Sequence, residues 1–156
     1  SYSELKSSYG HDAFLLEKAQ LNYIISKFLS DNVVSDLMNI EVPTIKQTED
    51  INKAAKLMLD KQVTHIPVVN DDFKLVGIVT SWDLSKAIAT NTNSLNDIMT
   101  RNVIFCYNDD AIEDVVSKMR KCDISGMPVV DKNKKLEGLI TFDQFSHLVS
   151  SYKYYE

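Results

Sequence analysis

Residues Leu75–Ile88 read L-V-G-I-V-T-S-W-D-L-S-K-A-I. Leu75, Val76, Ile78 and Val79 form a short apolar run rich in β-branched residues, which predicts a strand covered on both faces. Gly77 inside the run predicts close approach by neighbouring backbone. From Thr80-Ser81-Trp82-Asp83 onward the pattern turns helical, with Leu84, Ala87 and Ile88 on one side. A buried strand therefore runs into a helix, with a hydroxyl and a carboxylate at the junction.

That junction has two readings, and the motif alone leaves both open. A helix N-terminus carries free N–H groups and partial positive charge, so it attracts phosphate. A carboxylate one turn in accepts hydrogen bonds from two adjacent hydroxyls, such as those of a ribose. Equally, Thr-x-x-Asp is the pattern of a capping box, in which Thr80 and Asp83 satisfy each other's backbone with no ligand.

Working outward, the chain repeats itself with a period of 61 residues. Asp36, Met38 and Val42 correspond to Asp97, Met99 and Val103. Ile51 and Met58 correspond to Ile112 and Met119. Pro67-Val68-Val69 corresponds to Pro128-Val129-Val130, and Leu75, Gly77 and Thr80 to Leu136, Gly138 and Thr141. No gap is needed between Asp36 and Thr141. Each copy predicts a short helical turn (Val34–Met38; Leu95–Met99) and an extended piece (Val42–Lys46; Val103–Tyr107). An amphipathic helix follows, with Ile51, Ala54, Ala55 and Met58 on one face, mirrored by Ile112, Val115, Val116 and Met119. Then come a strand (His65–Val69; Gly126–Val130), a polar turn, the strand Leu75–Thr80 or Leu136–Thr141, and a closing helix. A unit of this size is marginal alone. Two related units bury their sheets against each other about a pseudo-twofold axis and leave two related clefts.

Ahead of the repeats, residues 1–11 read as a polar start. An amphipathic helix capped by Asp12 is expected to about Leu29, with Leu21, Ile24, Ile25 and Phe28 on one face. The expected division is 1–32 for tail and helix, 33–92 and 93–151 for the two repeats, and 152–156 for a C-terminal tail. The opening Ser1 leaves room for a longer parent chain.

Composition narrows the function. The 156 residues are 44% hydrophobic and 25% charged, as in a globular domain with a real core. A net charge of −5 argues against nucleic acid or an anionic membrane as the main partner, and no apolar run is long enough to insert in a bilayer. The two cysteines, Cys106 and Cys122, lack metal-ligand spacing and read as semi-buried packing in a reduced, cytoplasmic setting. The glycines, Gly10, Gly77, Gly126 and Gly138, form no phosphate-binding loop, and the histidines, His11, His65 and His147, are scattered. No metal site and no catalytic constellation is expected. Asp71-Asp72 and Asp109-Asp110 read as turn and cap residues.

The paired fragments V-S-D-L-M and L-N-D-I-M, H-I-P-V-V-N and G-M-P-V-V-D, and G-I-V-T-S-W-D and G-L-I-T-F-D resemble the CBS domain in tandem, the Bateman module. M-T-R-N-V-I and I-S-G-M-P-V-V are similar to archaeal members that bind adenosyl ligands. The resemblance covers about Val33 to Ser151. It implies an α/β (α+β) fold of two β-α-β-β-α repeats packed through their sheets, beside the N-terminal helix. It implies a non-catalytic regulatory module, with the alternative of a ligand-free structural or dimerisation module or a regulatory fragment of a larger enzyme or transporter. Implied ligands are adenosine-bearing: AMP, ADP, ATP, S-adenosylmethionine or methylthioadenosine. A homodimer through the helices, including Ala54–Leu59 and Ser81–Ala89, is the implied assembly.

Carried over by position, the first cleft takes Thr80 for phosphate or ribose and Asp83 for the ribose hydroxyls, with Thr64 and His65 beside them. The adenine wall comes from Thr100, Asn102, Ile104, Ile124 and Ser125. In the second cleft Gln144 replaces the acid and Glu41 stands where Asn102 stands. Glutamine still serves a capping box, but its amide has one acceptor oxygen in place of two anionic ones. One competent site is therefore expected, and since the fold tolerates Gln144, capping alone does not account for Asp83. Few cations are near that site by sequence, Arg101 first, which favours AMP or an adenosyl thioether or sulfonium over ATP.

Overall fold

The computed structural model describes residues 25–27 and 29–145. Within that span Val34–Asp36 forms a 3₁₀ turn and β1 is Ile45–Lys46. Helix α1 (Ile51–Lys61), β2 (His65–Val69), β3 (Leu75–Thr80) and α2 (Ser81–Thr90) complete the first copy. The second copy has α3 (Leu95–Ile98), α4 (Ile112–Lys121), β4 (Gly126–Val130) and β5 (Leu136–Thr141). Residues 142–145 are helical, as are 25–27 and 29–31. Most of the expected N-terminal helix, the end of the last helix and the C-terminal tail lie outside the described residues.

Local chemistry fixes each boundary. Asp50 caps α1 by accepting from Lys53 N at 2.8 Å, and Gln62 ends it in the left-handed region at φ 54°. In α4 the acids Glu113 and Asp114 occupy the first turn and Lys118, Arg120 and Lys121 the last, which complements the helix dipole. In the hairpin turns Asn70 Oδ1 accepts from Asp72 N and Lys74 N, and Asp131 Oδ1 accepts from Asn133 N and Lys135 N. These donors hold the Asp131 carboxyl below the usual carboxylate range.

The strands pair antiparallel in matching registers. His65 faces Thr80 and Pro67 faces Ile78; Gly126 faces Thr141 and Pro128 faces Leu139. Each proline is tolerated because its partner's backbone bonds elsewhere: Ile78 exchanges both bonds with Thr100, and Leu139 with Asn39. β1 adds to β2 in parallel through Ile45 and Val68. In the second copy the equivalent extended piece makes only a bridge between Cys106 and Val129, so that sheet keeps two strands.

There are two cores, and the leading turns are exchanged between them. One core holds Ile51, Ala54, Met58, Ile66, Val68, Val79 and Leu84, closed by Leu95 and Met99 from the start of the second copy. The other holds Ile112, Val115, Met119, Met127, Val129 and Ile140, closed by Val34 from the start of the first, with Leu37 and Met38 packed against it. Val34 N and Ser35 N donate to Asp110 O and Asn108 O at 3.0 and 2.9 Å, which pins the first turn to the second copy.

Glycine makes the exchange possible. A Cβ on Gly77 would lie 2.8 Å from Met99 Sδ, and one on Gly138 would lie 2.8 Å from Asn39 O. The close approach expected at Gly77 is thus a crossing of the other copy's leading turn.

Two expectations change. Ile88 is 78% exposed, because Leu84 and Ala87 fill the core-facing stripe of α2 and Ile88 falls at its edge. Trp82 is exposed as well. The cysteines differ from each other: Cys106 is buried and Cys122 exposed.

Candidate functional site

Thr80 and Asp83 do form a capping box. Asp83 Oδ2 accepts from Thr80 N and from Thr80 Oγ1, both at 2.7 Å, and Asp83 N donates back to Thr80 Oγ1 at 3.3 Å. The threonine's hydroxyl proton is therefore committed to the carboxylate, and what Thr80 offers elsewhere is accepting lone pairs. A hydroxyl donor suits that position better than an acceptor-only phosphate oxygen. The second carboxylate oxygen, Oδ1, accepts none of these bonds.

A cavity of about 210 Å³ opens beside this cap, between the two copies. It is lined by His65, Ile78 and Thr80 of the first copy and by Thr100, Asn102, Val103, Ile104, Asp123, Ile124, Ser125 and Gly126 of the second. The strand crossing builds the wall: Ile78 N donates to Thr100 O at 3.0 Å and Thr100 N to Ile78 O at 2.9 Å, so residues 100–104 run past the end of β3. Asp123, at φ 52°, turns the chain out of α4, and Ile124 N then donates to Met119 O at 3.0 Å. Ile104 and Ile124 pack against the second core and present apolar surface to the opening. A lining that mixes apolar and polar groups suits a flat base with a hydroxylated tail.

Seven of the nine residues singled out from sequence line this cavity: His65, Thr80, Thr100, Asn102, Ile104, Ile124 and Ser125. Thr64 and Asp83 do not line it and stand one bond behind. Thr64 Oγ1 is 2.9 Å from His65 Nδ1, and Asp83 holds the Thr80 hydroxyl. Sequence reasoning missed Ile78, Val103, Asp123 and Gly126. The period could have found two of them, since Gly126 is the counterpart of His65 and Asp123 that of Gln62, both of the latter pair in left-handed turns.

The cavity's electrostatics are set by acids. Among the described residues no lysine or arginine lines it. His65 has its pKa lowered by burial, against the pull of Asp143 and Asp83. Arg101, the nearest cation by sequence, donates to Asn96 O at 3.1 Å. It lines a separate open groove of about 690 Å³ with Gln47–Asp50 and Asn93–Asn96.

The second copy's counterpart of the cap is built from an amide. Gln144 Oε1 accepts from Thr141 N and, at 3.1 Å, from Thr141 Oγ1, while Nε2 donates to Leu139 O at 3.3 Å. Both ends of the side chain are thus spent on backbone and cap. Among the described residues no group of three or more His, Cys, Asp or Glu could hold a metal ion, and no helix is long and apolar enough to cross a membrane.

Comparison with known proteins follows the same lines. The CBS domain model matches residues 34–90 and again 95–150. Homoserine O-acetyltransferase of Methanobrevibacter ruminantium is 55% identical over 152 residues, which are 97% of this chain but 31% of that protein. Among solved structures, the CBS domain pair of protein MJ0100, in complex with 5′-methylthioadenosine and S-adenosyl-L-methionine, is 38% identical with a TM-score of 0.75. The match covers 77% of this chain and 97% of that one. CBSX2 in complex with AMP is 26% identical with a TM-score of 0.68, over 78% of this chain and 98% of the other.

Proposed function

The chain belongs to the CBS-domain family as a tandem pair, and on that premise we propose a regulatory, non-catalytic module that takes an adenosine-bearing ligand in the cavity beside Thr80. The observation that carries the reading is the cavity itself. Its lining combines the apolar Ile104 and Ile124 with the polar Thr80, Thr100, Asn102 and Ser125. The base lies between the isoleucines. The ribose hydroxyls reach Thr80, which accepts, and past Thr80 the free oxygen of Asp83, which stands behind the cavity lining.

Within that class we favour an adenosyl thioether or sulfonium, methylthioadenosine or S-adenosylmethionine, over ATP. A triphosphate brings several negative charges to a cavity that, among the described residues, is lined by no lysine or arginine, with Asp123 in its lining and Asp83 behind Thr80. The relatives' chemistry points the same way. Acetylating the hydroxyl of homoserine turns it into a leaving group that a sulfur nucleophile displaces, which leads to the methionyl skeleton that S-adenosylmethionine carries. A module reporting that end product to an acetyltransferase upstream is a coherent feedback device. We accordingly read the chain as the regulatory portion of such an enzyme; it spans about a third of the length of the curated relatives it matches.

A second copy is the partner we propose for the outer face of the first repeat. Leu59, Trp82 and Ile88 are 79, 76 and 78% exposed on α1 and α2. At helical spacing from them on the same two helices stand the small, uncharged Ala55, Ser85 and Ala89, with Lys56 and Lys86 beside them. The counterparts of Leu59 and Trp82 in the second repeat are Arg120 and Asp143, so the apolar face matches itself in a twofold contact and not the other repeat. Trp82→Asp, which copies the second repeat, should convert a dimer to a monomer by analytical ultracentrifugation.

The ligand reading is tested by thermal unfolding and calorimetry with adenosine, methylthioadenosine, S-adenosylmethionine, AMP and ATP. A true ligand at 100 times its Kd stabilises the fold by about 2.7 kcal/mol. The adenosyl thioether and sulfonium should bind more tightly than ATP. No shift with any of the five at millimolar concentration would end the proposal.

A further inference from the structure

We propose that His65 is a specificity-determining residue that sets the charge of the cavity, by taking up or releasing a proton while wedged between the two repeats. This rests on the adenosine-ligand reading above and deepens it.

The geometry is particular to this ring. Nδ1 lies 2.9 Å from Thr64 Oγ1, on the same repeat, and Nε2 lies 3.1 Å from Ser125 Oγ, on the other. Thr64 and Ser125 are equivalent positions, so the imidazole bridges the pseudo-twofold axis between matched hydroxyls. Its face rests on Gly126, where a Cβ would lie 2.7 Å from His65 Cδ2. One edge of the ring lines the cavity.

A hydroxyl both donates and accepts. The neutral ring donates to one of these hydroxyls and accepts from the other; the imidazolium donates to both. Either state leaves every ring nitrogen bonded, so the proton enters or leaves without breaking the bridge. Among the described residues the charged groups acting on the ring are acids, Asp143 from the segment after β5 and Asp83 from α2, and Asp123 lines the same cavity. They favour the proton, and burial opposes it.

With the ring neutral, the cavity presents only acidic charge, which suits an uncharged nucleoside or a sulfonium. With the ring protonated, the cavity holds one cation, and the preference moves toward a nucleoside phosphate. The counterpart position in the second repeat is Gly126, so this control exists on one side of the molecule alone.

Linkage makes the test reciprocal. Affinities of the intact chain for adenosine, AMP and S-adenosylmethionine are measured by calorimetry between about pH 8 and about pH 5. The His65 ring is followed by NMR in the free and loaded chain, and its signal is assigned against His65→Gln, since the chain also contains His11 and His147. On acidification the AMP-to-adenosine affinity ratio should rise about tenfold, the equivalent of one unit in the ring's pKa. The ratio for S-adenosylmethionine should fall, and AMP should raise the ring's titration midpoint. The AMP phosphate takes up its own proton near pH 6 and works the other way, but equally in His65→Gln, so the difference between parent and variant isolates the ring. If His65→Gln does not fold, Ser125→Ala serves: it removes one acceptor of the imidazolium, lowers the midpoint and shrinks the pH dependence. If the three ligands bind with ratios that ignore pH, or that vary as much in the variant, the role of His65 is refuted while the cavity reading stands. If none binds, both fall.

Discussion

Replacing Asp83 with glutamine separates what the acid does for the fold from what it does for a ligand. The second repeat already contains the product of that substitution: Gln144 closes the box on Thr141 N and Thr141 Oγ1, and its amide nitrogen finds Leu139 O. The same partners exist in the first repeat as Thr80 N, Thr80 Oγ1 and Ile78 O. Asp83→Gln should therefore keep the cap and lose only the charge at the first turn of α2, a cost of about 0.3–1 kcal/mol. Asp83→Ala removes the box altogether, together with two 2.7 Å bonds to an anionic oxygen, and should cost about 2 kcal/mol. The ligand side behaves differently. An amide in place of the free carboxylate oxygen replaces an anionic acceptor with a neutral group that donates. Losing one such charge-assisted bond to ribose is worth about 2 kcal/mol, or about 30-fold in affinity for adenosine. Urea unfolding without ligand and calorimetry with adenosine give the two numbers independently. Parent-like affinity in Asp83→Gln would mean that the acid only caps the helix. Stability as low as that of Asp83→Ala would mean that the amide box does not transfer between repeats.

Four further outcomes follow from the same geometry. Leu95→Ala should cost about 2–5 kcal/mol and strip hydrogen-exchange protection from β2 and β3, because Leu95 is 1% exposed in the first core although it begins the second copy. Gly138→Ala should destabilise more than Gly77→Ala, by about 1–3 kcal/mol against less, because the new methyl meets the Asn39 carbonyl in one case and the movable Met99 sulfur in the other; chemical denaturation ranks them. Burial pushes the Cys106 thiol up to about 12, so a thiol reagent at mildly alkaline pH should titrate Cys122 alone in the folded chain and both cysteines in denaturant. Because the pKa of His65 is lowered on folding, the unfolded chain binds the proton more readily. Stability should then fall as pH drops through the unfolded value of about 6.5 and level off below the folded one, and His65→Gln should flatten that slope in pH-dependent unfolding.

The strands, the long helices and their buried faces were legible because period-2 and period-3.6 patterns recur with one spacing, and a repeat confirms each element twice. Pro67 and Pro128 fell inside the expected strands, and the crossings at Thr100 and Asn39 explain why they fit there. The exchange of leading turns was not legible, since Val34 and Leu95 occupy equivalent positions and would satisfy either core by pattern alone. At the site, the motif named the cap, and the resemblance to the CBS domain carried over the wall from Thr100 to Ser125. It did not separate the side chains that line the cavity from Thr64 and Asp83 behind it, because that depends on which way a hydroxyl proton is pulled. Ile88 was misplaced by one step around the helix, where the apolar stripe of α2 is too narrow for periodicity to decide.

The traded turns bear on how such a molecule could arise and be cut. A polypeptide carrying a single repeat would hold the plug for a neighbour's core and lack the one for its own. Two such half-length polypeptides close each other's gaps by the same swap that here runs within one chain, so the fused gene reads as a domain-swapped pair made permanent.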